Sequence, residues 1–242
     1  VAALKTLGRT AAIRAITLDL DDTLWPVWPA IERAERELHA WLSVHARGTA
    51  RRFDVPALRD LRNAIVAEHP QWAHDFSRLR RESLSRALAL AGDDRALADP
   101  AYDVFFAARN RVECFADALP ALQALARRWP IAALTNGNAD LQTIGLASYF
   151  VTTVSAREFG VAKPDPRIFH EACRQLGAAP HEVLHVGDDW TLDVSGADRA
   201  GLRSAWVRRD AAAAAHLHDD AGTVQPDCIV EDLGELVALL DA

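Results

Sequence analysis

The sequence predicts an α/β fold: a mostly parallel β-sheet covered by helices, interrupted by an inserted helical domain. Three observations lead there. Short apolar runs alternate with helical stretches from residue 117 onward, as repeated β–α units do. Roughly ninety residues after the first apolar run contain no credible strand, too many for a loop. Three of the apolar runs end in polar clusters, and a parallel sheet brings such ends to one edge, where open α/β sheets place their ligands.

Residues 13–20 form the first apolar run and read as a buried parallel strand. It runs into Asp19, Asp21 and Asp22, three carboxylates within four residues. Burying such a group unpaired is costly, so the cluster needs water or a cation. Thr23 and then Leu24-Trp25-Pro26-Val27-Trp28-Pro29 follow, and two prolines so close forbid a continuing central strand. Trp25 and Trp28 could wall the site at its rim, although hinge packing is the reading preferred for them.

Helical spacing runs through 29–46, where Ile31, Ala34, Leu38, Trp41 and Leu42 share a face. Asp54 before Val55-Pro56 caps a helix reaching about residue 68. A third helix covers 75–91 and ends at Gly92, and a fourth lies within 94–112, with Pro100 as a break point. Beyond it come a helix at 119–128, strands at 131–134 and 151–154, and a helix that Asp165 caps with Pro166 in its first position. A strand at 183–186, a helix at 191–200, strands at 204–207 and 228–230 and a last helix at 233–240 complete the pattern. The predicted domains are a core of 1–24 plus 115–242 and a helical insert of 25–114.

Composition narrows the function. Net charge is −7, which disfavours nucleic acid as the main partner. No apolar run reaches the roughly 18–20 residues of a membrane span, and the early Lys5, Arg9 and Arg14 do not fit a signal peptide. Met is absent even at position 1, so the initiator is expected to be missing from the chain. Three well-separated cysteines, Cys114, Cys173 and Cys228, suit a reducing cytoplasm, the expected location. Residues 25–114 carry fourteen Arg against thirteen acids, so the acidity lies in the core. One biased tract, Ala211 to Ala215 followed by His216, His218, Asp219 and Asp220, reads as a solvated surface segment.

The polar ends are Asp19-Leu20-Asp21, Thr135-Asn136, and Gly187-Asp188-Asp189 with Asp193. Lys163 joins them in Ala162-Lys163-Pro164-Asp165-Pro166, where two prolines fix the approach to a helix. Of 27 cationic residues only Lys5 and Lys163 are lysines, so Lys163 suggests a need for a compact ammonium rather than a guanidinium fork. Oxygen-only ligands select Mg²⁺, and no Cys/His cluster points to zinc. Asp19 could attack phosphorus, a carboxylate two residues on could protonate the leaving oxygen, and Thr, Lys and backbone N–H groups could hold the phosphoryl oxygens.

These residues resemble the haloacid dehalogenase (HAD) superfamily. Asp19-x-Asp21-x-Thr23, Thr135, Lys163 and Gly187-Asp188-x-x-x-x-Asp193 match its four motifs in order, and the insert is similar to the α-helical cap of its first subclass. The resemblance implies a Rossmann-like core and a role for each motif residue. Asp19 is then nucleophile and Mg²⁺ ligand, and Asp21 is general acid/base with its backbone carbonyl on the metal. Thr135, Asn136 and Lys163 bind phosphate, Asp188 is a metal ligand, and Asp189 and Asp193 support. Asp22 stands where the commonest pattern has Gly and receives no catalytic role. Dehalogenases of the superfamily lack the second Asp, so Asp21 favours phosphate chemistry.

In the insert, His74-Asp75-Phe76-Ser77-Arg78-Leu79-Arg80 resembles a cap feature facing the site, with Arg78 or Arg80 as substrate contacts or as members of salt bridges. Together with Thr135-Asn136-Gly137-Asn138-Ala139 and His185-Val186-Gly187-Asp188-Asp189, it is similar to bacterial members acting on 5-amino-6-(5-phospho-D-ribitylamino)uracil in riboflavin synthesis. The resemblance therefore implies a Mg²⁺-dependent phosphomonoesterase for a small phosphorylated metabolite, that compound or FMN among them. A phosphomutase and a non-catalytic phosphate-binding module share the same motifs. Product analysis separates the first, and binding without turnover the second.

Overall fold

A computed structural model describes residues 13–209 and 224–241. The tract at 211–220 lies outside the described residues. Two compact units emerge: Val1–Pro26, Glu113–Gly137 and Gly145–Ala242 form one, and Val27–Val112 with Asn138–Ile144 form the other.

The first unit is built on a six-stranded sheet, every neighbouring pair parallel. Its strands are β1 (Ala15–Leu18), β2 (Ile131–Thr135), β3 (Thr152–Ser155), β4 (Val183–Gly187), β5 (Arg203–Val207) and β6 (Cys228–Val230), in spatial order β3-β2-β1-β4-β5-β6. The order reverses beside β1, so the chain returns across the sheet there and leaves a crevice at the strands' carboxyl ends. β1, β2 and β4 are buried throughout, which explains why their sequences are apolar runs rather than alternations. Ile168, Phe169 and Ala172 pack with Leu134, Val154 and Val183, burying a helix against the sheet.

The second unit is helical: α1 (Val27–His45), α2 (Arg47–Arg52), α3 (Val55–Glu68), α4 (Phe76–Ala91) and α5 (Ala98–Arg109), with α6 (Leu141–Ile144) joining from beyond β2. Leu38, Leu42, Leu84, Leu88, Tyr102 and Phe105 form its core. The caps expected from sequence at Asp54 and Gly92 are present: the Asp54 side chain accepts from the Ala57 N–H, and Gly92 ends α4 in the left-handed region at φ 76°. Asp75, read as the first residue of its helix, caps it instead, its side chain accepting from the Arg78 N–H.

Three local differences have physical reasons. Pro100 does not break its helix, because α5 starts at Ala98 and the proline falls in the first turn, where its missing N–H is not needed. Helix α2 is additional to the predicted set; six residues are too few to show a periodicity. The helix expected at 191–200 opens instead with one turn of π-helix, Trp190–Val194, before the α-helical Ser195–Arg199. Such turns gather at functional sites. No helix among the described residues is long and apolar enough to cross a membrane.

Candidate active site

The ends of β1 and β4 and the loop that carries Lys163 bring Asp19, Asp188, Asp193 and Lys163 together within the sheet unit. Lys163 is the pivot. Its Nζ donates to Asp19 Oδ1 and to Asp193 Oδ1, each at 2.6 Å, and both Lys163 and Asp193 are almost wholly buried. The Lys163 backbone is fixed too. Its N–H donates to Asn136 Oδ1 at 2.7 Å, and Asn136 Nδ2 donates to its carbonyl at 2.9 Å. The Asn136 side chain thus positions Lys163, while Thr135 Oγ1 accepts from the Gly137 N–H at 2.9 Å and shapes the turn after β2.

On the β4 side, Thr23 Oγ1 donates to Asp188 Oδ1 at 2.7 Å, and the Trp206 indole N–H donates to the Asp188 carbonyl at 2.8 Å. Asp189 caps the π-turn, accepting from the N–H groups of Thr191 and Leu192, and gives its own N–H to Asp193 Oδ2 at 2.9 Å. Gly187 is required by space: a Cβ there would lie 2.3 Å from Asp193 Cγ. Asp22 has φ 60°, a left-handed conformation that glycine adopts freely and Asp tolerates. That accounts for its standing where the commonest pattern has Gly.

Two residues escaped the sequence reading. His185 and Thr17 are register partners on β4 and β1, both fully buried. His185 Nε2 lies 3.0 Å from Asp193 Oδ1, and its Nδ1 lies 2.9 Å from Thr17 Oγ1. Facing a carboxylate, Nε2 carries the hydrogen, so Nδ1 accepts from the Thr17 hydroxyl. Burial lowers the His185 pKa and keeps the ring neutral. The chain Thr17–His185–Asp193–Lys163–Asp19 therefore crosses the sheet interior. Its signal in the sequence was a histidine and a threonine inside otherwise apolar strands.

One ammonium faces three carboxylates, and the charge imbalance shifts their pKa values. Burial, with Asp193 and Asp188 as like-charged neighbours, pushes Asp19 well above its ordinary range despite the pull of Lys163. Burial and Asp193 lift Asp188 to about 7. Burial would raise Asp193 as well, but Lys163 and the His185 hydrogen bond outweigh it and hold this carboxyl low. Lys163 is raised, the two carboxylates overcoming its burial. Carboxylate oxygens of Asp19, Asp188 and Asp193 all come within 4.8 Å of one another. The donor set is hard and oxygen-only, and burial pushes the pKa of two of its members, Asp19 and Asp188, upward. These residues fit a hard divalent cation. The oxygens of Asp193 are already taken by Lys163, His185 and the Asp189 N–H. That leaves Asp19 and Asp188 to face the ion.

The remaining sequence candidates sit as follows. Trp25 is buried, and its indole N–H donates to Asp21 Oδ1 at 2.8 Å. In the helical unit, Arg80 is buried between the Phe105 ring, 4.0 Å from its centroid, and Glu35. Arg59 lies over the exposed Trp28 ring and also pairs with Glu35. Arg78 is exposed and lies 3.9 Å over Trp72, whose ring also stacks on His69.

A model of the haloacid dehalogenase-like hydrolase family matches residues 13–201. The chain belongs to that family. Among curated relatives, 5-amino-6-(5-phospho-D-ribitylamino)uracil phosphatase YigB of Escherichia coli K12 is 36% identical over 208 residues, covering 84% of this chain and 86% of its own. The phosphoserine phosphatase of Thermus thermophilus is 36% identical over 192 residues, covering 76% and 70%. Among solved structures, one named 2-haloacid dehalogenase, from Pseudomonas syringae pv. Tomato DC3000, superposes with a TM-score of 0.85 at 36% identity, covering 95% of this chain and 98% of that one. This protein of the haloacid dehalogenase type is therefore an enzyme, a hydrolase, with phosphatases among its relatives.

Two expectations follow. Gly187→Ala forces Asp193 away from Lys163, and steady-state assays are expected to show kcat reduced about 100-fold or more, the scale of lost electrostatic positioning. In EDTA, Asp188 is a carboxyl whose pKa rises from 3.8 unfolded to about 7 folded. The proton-bound fold is the favoured one, so this group's contribution is intact below pH 4 and is lost as pH climbs through 7. Asp188→Asn is expected to raise the metal-free Tm at pH 8 by about 5 °C, with the gain shrinking towards pH 5. Parallel melting curves for the two proteins across that range would contradict the crowded-carboxylate picture.

Proposed function

We propose that the chain is a Mg²⁺-dependent phosphomonoesterase acting through an aspartyl-phosphate on Asp19. The observation that carries this is the pair at the end of β1: Asp19 held by Lys163, and two residues on, Asp21 held by Trp25. Bound between Asp19 and Asp188, Mg²⁺ would neutralise charge on the phosphoryl oxygens and the crowded carboxylates.

The chain's own residues supply the rest. The Asp19 carboxylate forms a bond to phosphorus as the bond from phosphorus to the ester oxygen breaks. Asp21 gives its proton to that departing oxygen. A water then attacks phosphorus and gives a proton to Asp21, the bond from phosphorus to Asp19 breaks, and inorganic phosphate leaves with Asp19 restored. Lys163 keeps Asp19 aimed and offers positive charge to the phosphoryl oxygens. Asp193, braced by His185 and the Asp189 N–H, keeps Lys163 in place.

A small phosphorylated metabolite is the proposed substrate class. 5-Amino-6-(5-phospho-D-ribitylamino)uracil is the leading compound, because the relative named for it covers most of both chains, and FMN is the next to test. The dehalogenase reading has a specific observation behind it, the close structural neighbour of that name. Asp21 weighs against it, since halide departure needs no proton.

Phosphate release from a chromogenic phosphate ester is expected with Mg²⁺ and not with EDTA, and no chloride is expected from 2-chloropropionate. Asp19→Asn should lower kcat at least about 1000-fold, as loss of a nucleophile does. Lys163→Arg should lower it about 100-fold, since a planar fork cannot reproduce two 2.6 Å bonds from one nitrogen. Near-normal turnover by Asp19→Asn would sink the covalent route.

A further inference from the structure

We propose that Trp25 is a positioning residue for Asp21: its indole N–H holds the carboxyl in the orientation from which it serves the leaving group. The inference rests on the phosphatase reading and deepens it.

The loop that holds the pair is tied down by backbone bonds. The Leu24 N–H donates to the Leu20 carbonyl at 2.8 Å, and the Asp22 N–H donates to the Trp25 carbonyl at 2.8 Å. The Phe115 N–H donates to the Leu24 carbonyl at 2.9 Å. Asp21 and Trp25 also form an isolated parallel bridge. Trp25 is fully buried, so its ring has little freedom to turn away from Asp21. The indole N–H can only donate, and it meets Asp21 Oδ1 at 2.8 Å.

Two consequences follow for proton transfer. A donor fixed on Oδ1 holds the carboxyl plane against rotation about χ2. The orientation of the group that serves the leaving oxygen is then set by the fold. Once the proton has left, Asp21 is an anion, and a hydrogen bond to a charged group is stronger than one to a neutral group. The Trp25 bond therefore tightens as the proton moves, which lowers the barrier to donation more than it stabilises the resting acid. A tryptophan that merely packs would do neither.

The test uses leaving groups that need the proton to different degrees. 4-Nitrophenyl phosphate expels a stable phenolate with little help, whereas ribose 5-phosphate must expel an alcohol. The parameter is kcat/KM, which covers steps only up to departure of the leaving group and so excludes the later water attack. Two variants of the full chain are compared with wild type: Trp25→Phe, and 3-benzothienylalanine at position 25, which keeps the bicyclic shape and replaces N–H by sulfur. The kcat/KM ratio of ribose 5-phosphate to 4-nitrophenyl phosphate is expected to fall about tenfold in both, within the range of general acid contributions. The benzothienyl protein decides the matter if Trp25→Phe does not fold. A ratio within twofold of wild type in the benzothienyl protein overturns the inference alone. Failure of the wild type to hydrolyse either ester with Mg²⁺ overturns the phosphatase reading and this inference with it.

Discussion

Everything at the site depends on one buried ammonium. Lys163 is nearly inaccessible, yet it bonds two carboxylates from opposite sides of the crevice, Asp19 after β1 and Asp193 after β4. A single amine nitrogen has the three tetrahedral donors for this, whereas a guanidinium would spread them across a plane. Removing the ammonium would leave three acids buried together with no counter-charge, a far larger penalty than the loss of an exposed ion pair. Neighbouring parts of the fold serve that arrangement. Asn136 clamps the lysine's peptide, the missing side chain of Gly187 makes room for Asp193, and His185 with Thr17 braces Asp193 from beneath.

Lys163 also explains why the site stays incomplete electrostatically. Together with His185 and the Asp189 N–H it satisfies Asp193, it satisfies Asp19 in part, and Asp188 turns instead to the Thr23 hydroxyl. Burial first, and the like-charged carboxylates beside them second, raise the pKa values of Asp19 and Asp188. On the proposed mechanism, a divalent cation and a phosphoryl group would bring opposite charges to the site together. The same scaffold is shared by relatives named as phosphatases and by a neighbour named as a dehalogenase. The difference between such chemistries has to lie in individual side chains, and on the proposed mechanism Asp21 is the one that sets this chain apart from halide displacement.

Much of the fold was legible because its signals are local. Capping carboxylates at Asp54 and Asp165, the left-handed Gly92 and the buried strand runs each leave a pattern within a few residues. Asp19, Thr135 and Asp188 stand out in the sequence because each sits at or just beyond the end of such a strand. What escaped depends on register and on side-chain direction. Thr17 and His185 meet only because β1 and β4 pair in one particular register, and nothing near either residue announces it. Trp25 reads in sequence as a wall or as packing, since its hydrogen bond to Asp21 needs the loop to fold back on itself. Asn136 reads as a phosphate ligand from its position next to Thr135, whereas its amide is spent on the Lys163 peptide. The π-turn at Trp190–Val194 has the composition of an ordinary helix start.

The most direct test of the central claim is to catch the covalent intermediate. The enzyme, turning over saturating 4-nitrophenyl phosphate with Mg²⁺, is quenched in acid within milliseconds and digested, and the peptide containing Asp19 is weighed. The account predicts a phosphoryl group on Asp19, formed before phosphate appears in solution and removed by hydroxylamine as an acyl phosphate is. A phosphoryl group on any other residue would contradict it, as would turnover with no phosphorylated peptide at any quench time, when release of the phenolate is faster than release of phosphate.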